Sequence, residues 1–151
     1  MNIRNYTSSV PVDRSVSLIE HELVRAGATH IAKTYDPDQN LEGIVFQITA
    51  NGMPLTFRLP AKWKQCQKML LAEVRKPRAG TEERINDQAL RTAWKILYDW
   101  ASVQVSLIKL EQAEVIEVFL PYVYDHAKDQ TLFDKLKAGG FKQLGPARET
   151  K

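Results

Sequence analysis

Acid–base, thiol or metal chemistry would have to rest on very few residues in this chain. The histidines are His21, His30 and His126, and the one cysteine is Cys66. No histidine stands at ligand spacing from another, and none accompanies the cysteine or a cluster of acids in a metal-binding pattern. His21 lies between Glu20 and Glu22 on the solvated side of a helical stretch, and His30 alternates with Ile31 as a packed or edge residue of a strand would. His126 follows Asp125, which by itself implies no geometry. Cys66 falls on an apolar helical stripe, where it reads as a small buried hydrophobe rather than a nucleophile. The pair Glu82–Glu83 suits the positive end of a helix dipole, an ordinary structural use of two acids. There is no GxGxxG, no Walker lysine and no GxSxG elbow. "AGG" at 138–140 closes a helix rather than opening one, the wrong polarity for backbone N–H groups to cradle phosphate. The expectation is a protein with no catalytic residue, no metal and no cofactor.

What the sequence does concentrate is positive charge. Between Arg58 and Lys95 there are ten Lys/Arg against four Asp/Glu, whereas from Ile96 to Asp125 one lysine faces five acids. Lys64, Lys68 and Arg75 recur at i, i+4 and i+11, and Arg84, Gln88, Arg91 and Lys95 at i, i+4, i+7 and i+11, each row on one helix side. "RKPR" (Arg75, Lys76, Arg78) joins the rows, Arg58 points off the outer face of a strand, and Lys62 follows it. If the two helices pack side by side, Arg58, Lys62, Lys64, Lys68, Arg75, Lys76, Arg78, Arg84, Arg91 and Lys95 merge into one basic surface. A patch of that size matches what sequence-independent gripping of nucleic-acid phosphates uses, with DNA the favoured partner. The ordinary alternative is that such rows are only the solvated faces of helices. Trp63, Trp94 and Trp100 lie on core stripes, so they are expected to pack rather than to stack on bases. A different reading gives the contact to the acidic row Glu111, Glu114 and Glu117, as a module that binds a host protein or a second copy of itself. A third has basic side chains at a subunit junction sequestering a small anionic nucleotide.

The elements that must position these groups follow from periodicity and turn chemistry. Val16, Ile19 and Leu23 share a helix face, with Asp13 or Ser15 as cap, "SLIE" as a capping box and Gly27 as terminator. A strand over 29–36, the turn "DPDQN", then Ile44, Phe46 and Ile48 alternating with Val45, Gln47 and Thr49 predict two strands. Asn51–Gly52 predicts a tight hairpin into a third strand with Leu55, Phe57 and Leu59 inward. Trp63, Cys66, Leu70 and Val74 mark a helix running to about Arg75. Thr81 is expected to cap a long helix, with Leu90, Trp94, Leu97, Ala101 and Ile108 near one stripe. Ala93, Trp100, Val103 and Leu107 widen that stripe until little of the middle faces water, and a bend or split is expected near 110–113. A last short helix is capped by Thr131 and closed by Gly139–Gly140. The fold class is α+β: a three-stranded antiparallel meander covered on one face by helices.

The 151 residues make one domain of ordinary globular composition, with 1–12 and 145–151 expected to be loose. No stretch is apolar for about 18 residues and the opening has no signal-peptide core, so a cytoplasmic protein without membrane contact is expected. The segments "RSVSLIEHELVRAGATHIAKTYD", "FRLPAKW" and "ALRTAWKILYDWASVQVSLIKLEQAEVIEVFLPYV" resemble a family of small bacteriophage and prophage proteins. The resemblance extends from about Arg14 to Tyr124. It implies a viral origin and a setting in the cytoplasm of an infected bacterium, and it carries no catalytic or binding residue to this chain.

Overall fold

A computed structural model describes residues 2–147 of the chain. In order they form α1 (Val12–Arg25), β1 (Ala28–Tyr35), β2 (Leu41–Ala50), β3 (Met53–Pro60), α2 (Lys64–Ala72), α3 (Thr81–Lys109) and α4 (Val115–Phe119). The short strands β4 (Tyr124–Asp125) and β5 (Gln130–Thr131) follow, then α5 (Leu132–Ala138), with single 3-10 turns at Leu120–Tyr122 and Lys142–Leu144. The fold is α+β, with β1, β2 and β3 antiparallel in that spatial order. Of the tail expected to be loose, residues 148–151 lie outside the described residues, as does Met1.

The β2–β3 hairpin closes on two residues: Ala50 pairs with Met53, and Asn51 and Gly52 both take positive φ, 51° and 77°. Such a turn matches the right-handed twist of the strands, and Asn-Gly tolerates it at least cost. Register then puts Ile44, Phe46, Ile48, Phe57 and Leu59 on the buried face. Phe46 and Phe57 stack at 5.2 Å between centroids, and Phe119 meets Phe46 edge-on at 5.2 Å. From α1, Val16, Ile19 and Leu23 complete the cluster, with Trp94 from α3. Burying a Phe or Leu side chain here contributes about 1.5–3 kcal/mol each. On the opposite face Ala32, Val45 and Arg58 stand side by side across the strands.

Helix ends depart from expectation. Pro11, with φ −59°, precedes α1, and its carbonyl takes the N–H groups of Arg14 and Ser15. The helix thereby starts before the expected caps: Asp13 falls in its first turn, and Ser15 and the "SLIE" box lie within the helix. Thr81 is the first residue of α3 rather than its cap; its Oγ1 accepts from Arg78 N at 2.9 Å and so braces the preceding turn. Gly80 holds the cap position at φ 83°, a conformation that L side chains disfavour. α2 stops at Ala72, so Val74 and Arg75 leave the helix.

The long apolar run is split where the expected break fell, with Glu111 at φ 58° between α3 and α4. α4 turns Phe119 onto Phe46 and Phe57 instead of continuing along α3. Val103 (58% exposed) and Leu110 (68%) consequently face water, against the expectation that the middle of this run would be almost wholly covered. The β4–β5 pair was not anticipated; next to it, Val123 bridges to Phe57 and extends the β3 edge.

Candidate nucleic-acid interface

The connection between α2 and α3 gathers four cations. Because α2 ends early, Arg75, Lys76 and Arg78 sit in the link and not on a helical row with Lys64 and Lys68, which correct the expected i, i+4, i+11 geometry. Residues of that link, with Arg84 one turn into α3, enclose an open cavity of about 430 Å³. Its walls carry three guanidinium groups, one ammonium group and the backbone of Gly80 and Thr81 at the amino end of α3, and no aromatic ring. Guanidinium forks and helix N-termini both favour oxyanions. Glu82 and Glu83 stand in the same first turn and offset part of that attraction.

The remaining six candidates are placed elsewhere. Arg58 is partly buried, pairs with Glu42 at 3.3 Å, and lies over the Tyr124 ring at 5.9 Å. Lys62 is exposed and lines a cleft shared with Arg58, Tyr122 and Asp134. Lys64 and Lys68 are exposed on α2, with the Lys64 ammonium 4.2 Å from the centre of the Trp63 ring. Trp63 itself is buried with Ala89 and Leu90, as its core stripe implied.

The second basic row does not form an open face. Residues 4–8, expected to be loose, run along α3 and bond to it. Gln88 Nε2 donates to the carbonyls of Tyr6 and Ser8, Arg91 Nε to Ser8 O, and Thr92 Oγ1 to Asn5 O. Lys95 pairs with Asp99 at 2.6 Å, and Arg4 and Asn5 donate to the other Asp99 oxygen. Burial alone would raise the Asp99 carboxyl, but hydrogen bonds from Lys95, Asn5 and Arg4 overcome it and bring the pKa down to about 2. Arg84 is thus the member of this row that joins the corner, while Arg91 and Lys95 fasten the N-terminal segment. The acidic row is likewise dispersed: Glu111 lies in the break, and Glu117 Oε1 accepts from Glu114 N at the start of α4.

Sequence reasoning missed the backbone contribution of Gly80 and Thr81, and the grouping of Tyr122 and Asp134 with Arg58 and Lys62. The glycine directly before "TEER" is the one sequence feature that could have found the former; the latter depends on the unforeseen β4–β5 pair. Among the described residues no group of three His, Cys, Asp or Glu side chains could hold a metal ion. No described helix is long and apolar enough to cross a membrane. No family model, curated protein or solved structure matches the chain.

Proposed function

We propose that this chain is a non-enzymatic accessory protein of a bacteriophage that grips nucleic acid by its phosphates. The α2–α3 corner is the centre of the contact, with Lys64 and Lys68 on the adjoining helix. One observation carries the reading: Arg75, Lys76, Arg78 and Arg84 gather around a single cavity at the amino end of a 29-residue helix. The absence of a ring in that cavity supports contact with the backbone rather than with base edges, since phosphate contacts position a protein without reading sequence. Fluorescence anisotropy with labelled single- and double-stranded DNA tests it. With four to six phosphate contacts, affinity falls by about 10²–10³ between 50 and 200 mM salt. Binding to neither form, or binding that ignores salt, overturns the reading.

A second reading has one observation in its favour. Phe133 and Phe141 are both exposed and touch at 5.8 Å between centroids, near exposed Leu144. Such a patch suits a protein contact, with a host protein or a second copy. Light scattering that gives more than one chain's mass, abolished by Phe133→Ser, supports it; a monomer that retains every property after that change removes it.

A further inference from the structure

Two cavities away from the α2–α3 corner adjoin each other. One is a cleft of about 320 Å³ whose walls include Ile96, Leu97 and Trp100 of α3, with Cys66 of α2 and Ile3 of the N-terminal segment. The other, of about 490 Å³, holds Arg58, Thr131, Phe133 and Asp134. Pro60, Lys62 and Tyr122 line both. The two therefore adjoin along Pro60, Lys62 and Tyr122; taken together as a trough, they have an apolar end and a charged end. Each chamber falls in the size range of small-molecule sites, which combine apolar walls with a few convergent polar groups.

The apolar end is built in advance. Trp100 is held edge-on by Tyr122 at 5.7 Å and by Phe119 at 6.0 Å, so its indole has little freedom to rearrange. Thr92, the polar side chain of the floor, donates to Asn5 O and accepts from Gln88. With that group satisfied internally, a body lying there meets ring and aliphatic surface and no unmet polar demand. The other end carries two cations, Lys62 and Arg58, facing Asp134. Lys62 is exposed and has no ion pair among the described residues. Arg58 is anchored by Glu42 and adds its field from one side. Asp134 is the opposing charge, but it caps α5: Thr131 N donates to its Oδ2 at 2.9 Å. That hydrogen bond holds its carboxyl below the usual range; burial opposes the shift, and Lys62 and Arg58 add to it, which places both cations within electrostatic reach of the same point.

We infer that this trough binds a small amphipathic anion, its ring-bearing apolar body against Leu97 and Trp100 and its phosphate, sulfonate or carboxylate at Lys62 and Arg58. The occupant is fixed by the order of the walls. A neutral hydrophobe leaves Lys62 unused, and a bare anion leaves the ring-lined end in water. A polymer backbone gains nothing from the apolar cleft of Leu97 and Trp100, which separates this site from the corner cations.

Isothermal titration of the full chain with 2-naphthyl phosphate, 2-naphthol and inorganic phosphate tests the inference. The aryl phosphate binds at least about tenfold more tightly than either comparator, because only it fills both ends. Lys62→Gln, a change on an exposed link residue, lowers aryl phosphate affinity about tenfold and leaves 2-naphthol unaltered. Arg75→Gln with Arg78→Gln leaves aryl phosphate binding as it was. Absence of binding by 2-naphthyl phosphate overturns the inference, as does binding indifferent to Lys62→Gln or matched by inorganic phosphate. Loss of binding in the Arg75/Arg78 variant would place the anion at the corner instead and also overturn it. Salt-dependent DNA binding is read from different cations, so either result can fail without the other.

Discussion

Lys95 Nζ lies 2.6 Å from Asp99 Oδ1, one turn along α3, while the second Asp99 oxygen accepts from Arg4 Nε at 2.9 Å and Asn5 Nδ2 at 2.8 Å. One carboxylate, with its side chain 18% exposed, thus ties the N-terminal segment to the long helix. Its pKa of about 2 lies below the ordinary 3.8, so the charged form is favoured in the folded state. A depressed carboxylate contributes stability above its unfolded pKa and loses it as pH falls through its folded pKa. The window is therefore about pH 4 down to about pH 2, over which up to about 2 kcal/mol is lost. Asp99→Asn removes the Asp99 share of the pH dependence in that window and lowers stability at pH 7 by about 1–2 kcal/mol. Urea denaturation at pH 7, 4 and 3 for both proteins measures this. Parallel losses in wild type and variant would deny Asp99 the role.

The corner and the fastening cations separate under salt. Each phosphate contact adds about 0.9 to the slope of log affinity against log salt on duplex DNA. Replacing Arg75, Lys76, Arg78 and Arg84 with glutamine removes up to about four units from that slope. Lys95→Gln leaves the slope within about half a unit, because the Lys95 charge is already balanced by Asp99. Anisotropy titrations at four salt concentrations decide between them. Equal slopes for the quadruple variant and wild type move the contact off the corner.

The sheet was legible because its signals are local. Asn51–Gly52 sets the register of β2 on β3, and the alternation of Ile44, Phe46 and Ile48 then has one buried solution. The stripe through Trp94 and Ala101 and the break after Lys109 were equally local. The candidate surface was not, since its members act across the chain. Gln88, Arg91 and Thr92 read as a polar helix face, yet they bond carbonyl oxygens some 80 residues earlier, and a main-chain acceptor leaves no trace in residue type. The first row was drawn by extending helical spacing through Arg75, three residues past the end of α2. The Lys62 trough needed β4 and β5, two residues each, too short for any periodicity to register.

Ser15 is fully buried in α1, and its hydroxyl has no hydrogen-bond partner among the described residues. An unsatisfied buried hydroxyl costs about 1–3 kcal/mol, and alanine is the better helix former by a few tenths. Ser15→Ala is accordingly stabilising, by about 1 kcal/mol, against the usual direction of core truncation. Thermal unfolding reads this as a rise in Tm of a few degrees, about 2–5 °C for a chain of this length. A fall in Tm would mean that the hydroxyl is satisfied in solution, by water or by a shift of the helix.

Cys66 reports on the trough from within. Burial pushes its thiol pKa above the ordinary value, and a hydrogen bond with Thr92 offsets part of the rise. The thiolate is the reactive form, so a raised pKa and partial burial both slow its modification. At pH 8 the native chain reacts with an aromatic disulfide reagent at least about tenfold more slowly than the same chain in urea. Saturating 2-naphthyl phosphate slows the native reaction further, because the body it seats lies over the thiol. In Lys62→Gln the basal rate is unchanged and the protection at the same ligand concentration falls, since the anion's hold is lost while the wall around Cys66 is intact. Protection that survives Lys62→Gln in full would show that the ligand reaches the thiol without using the charged end. A native rate equal to that in urea would show that the fold does not shield Cys66 at all.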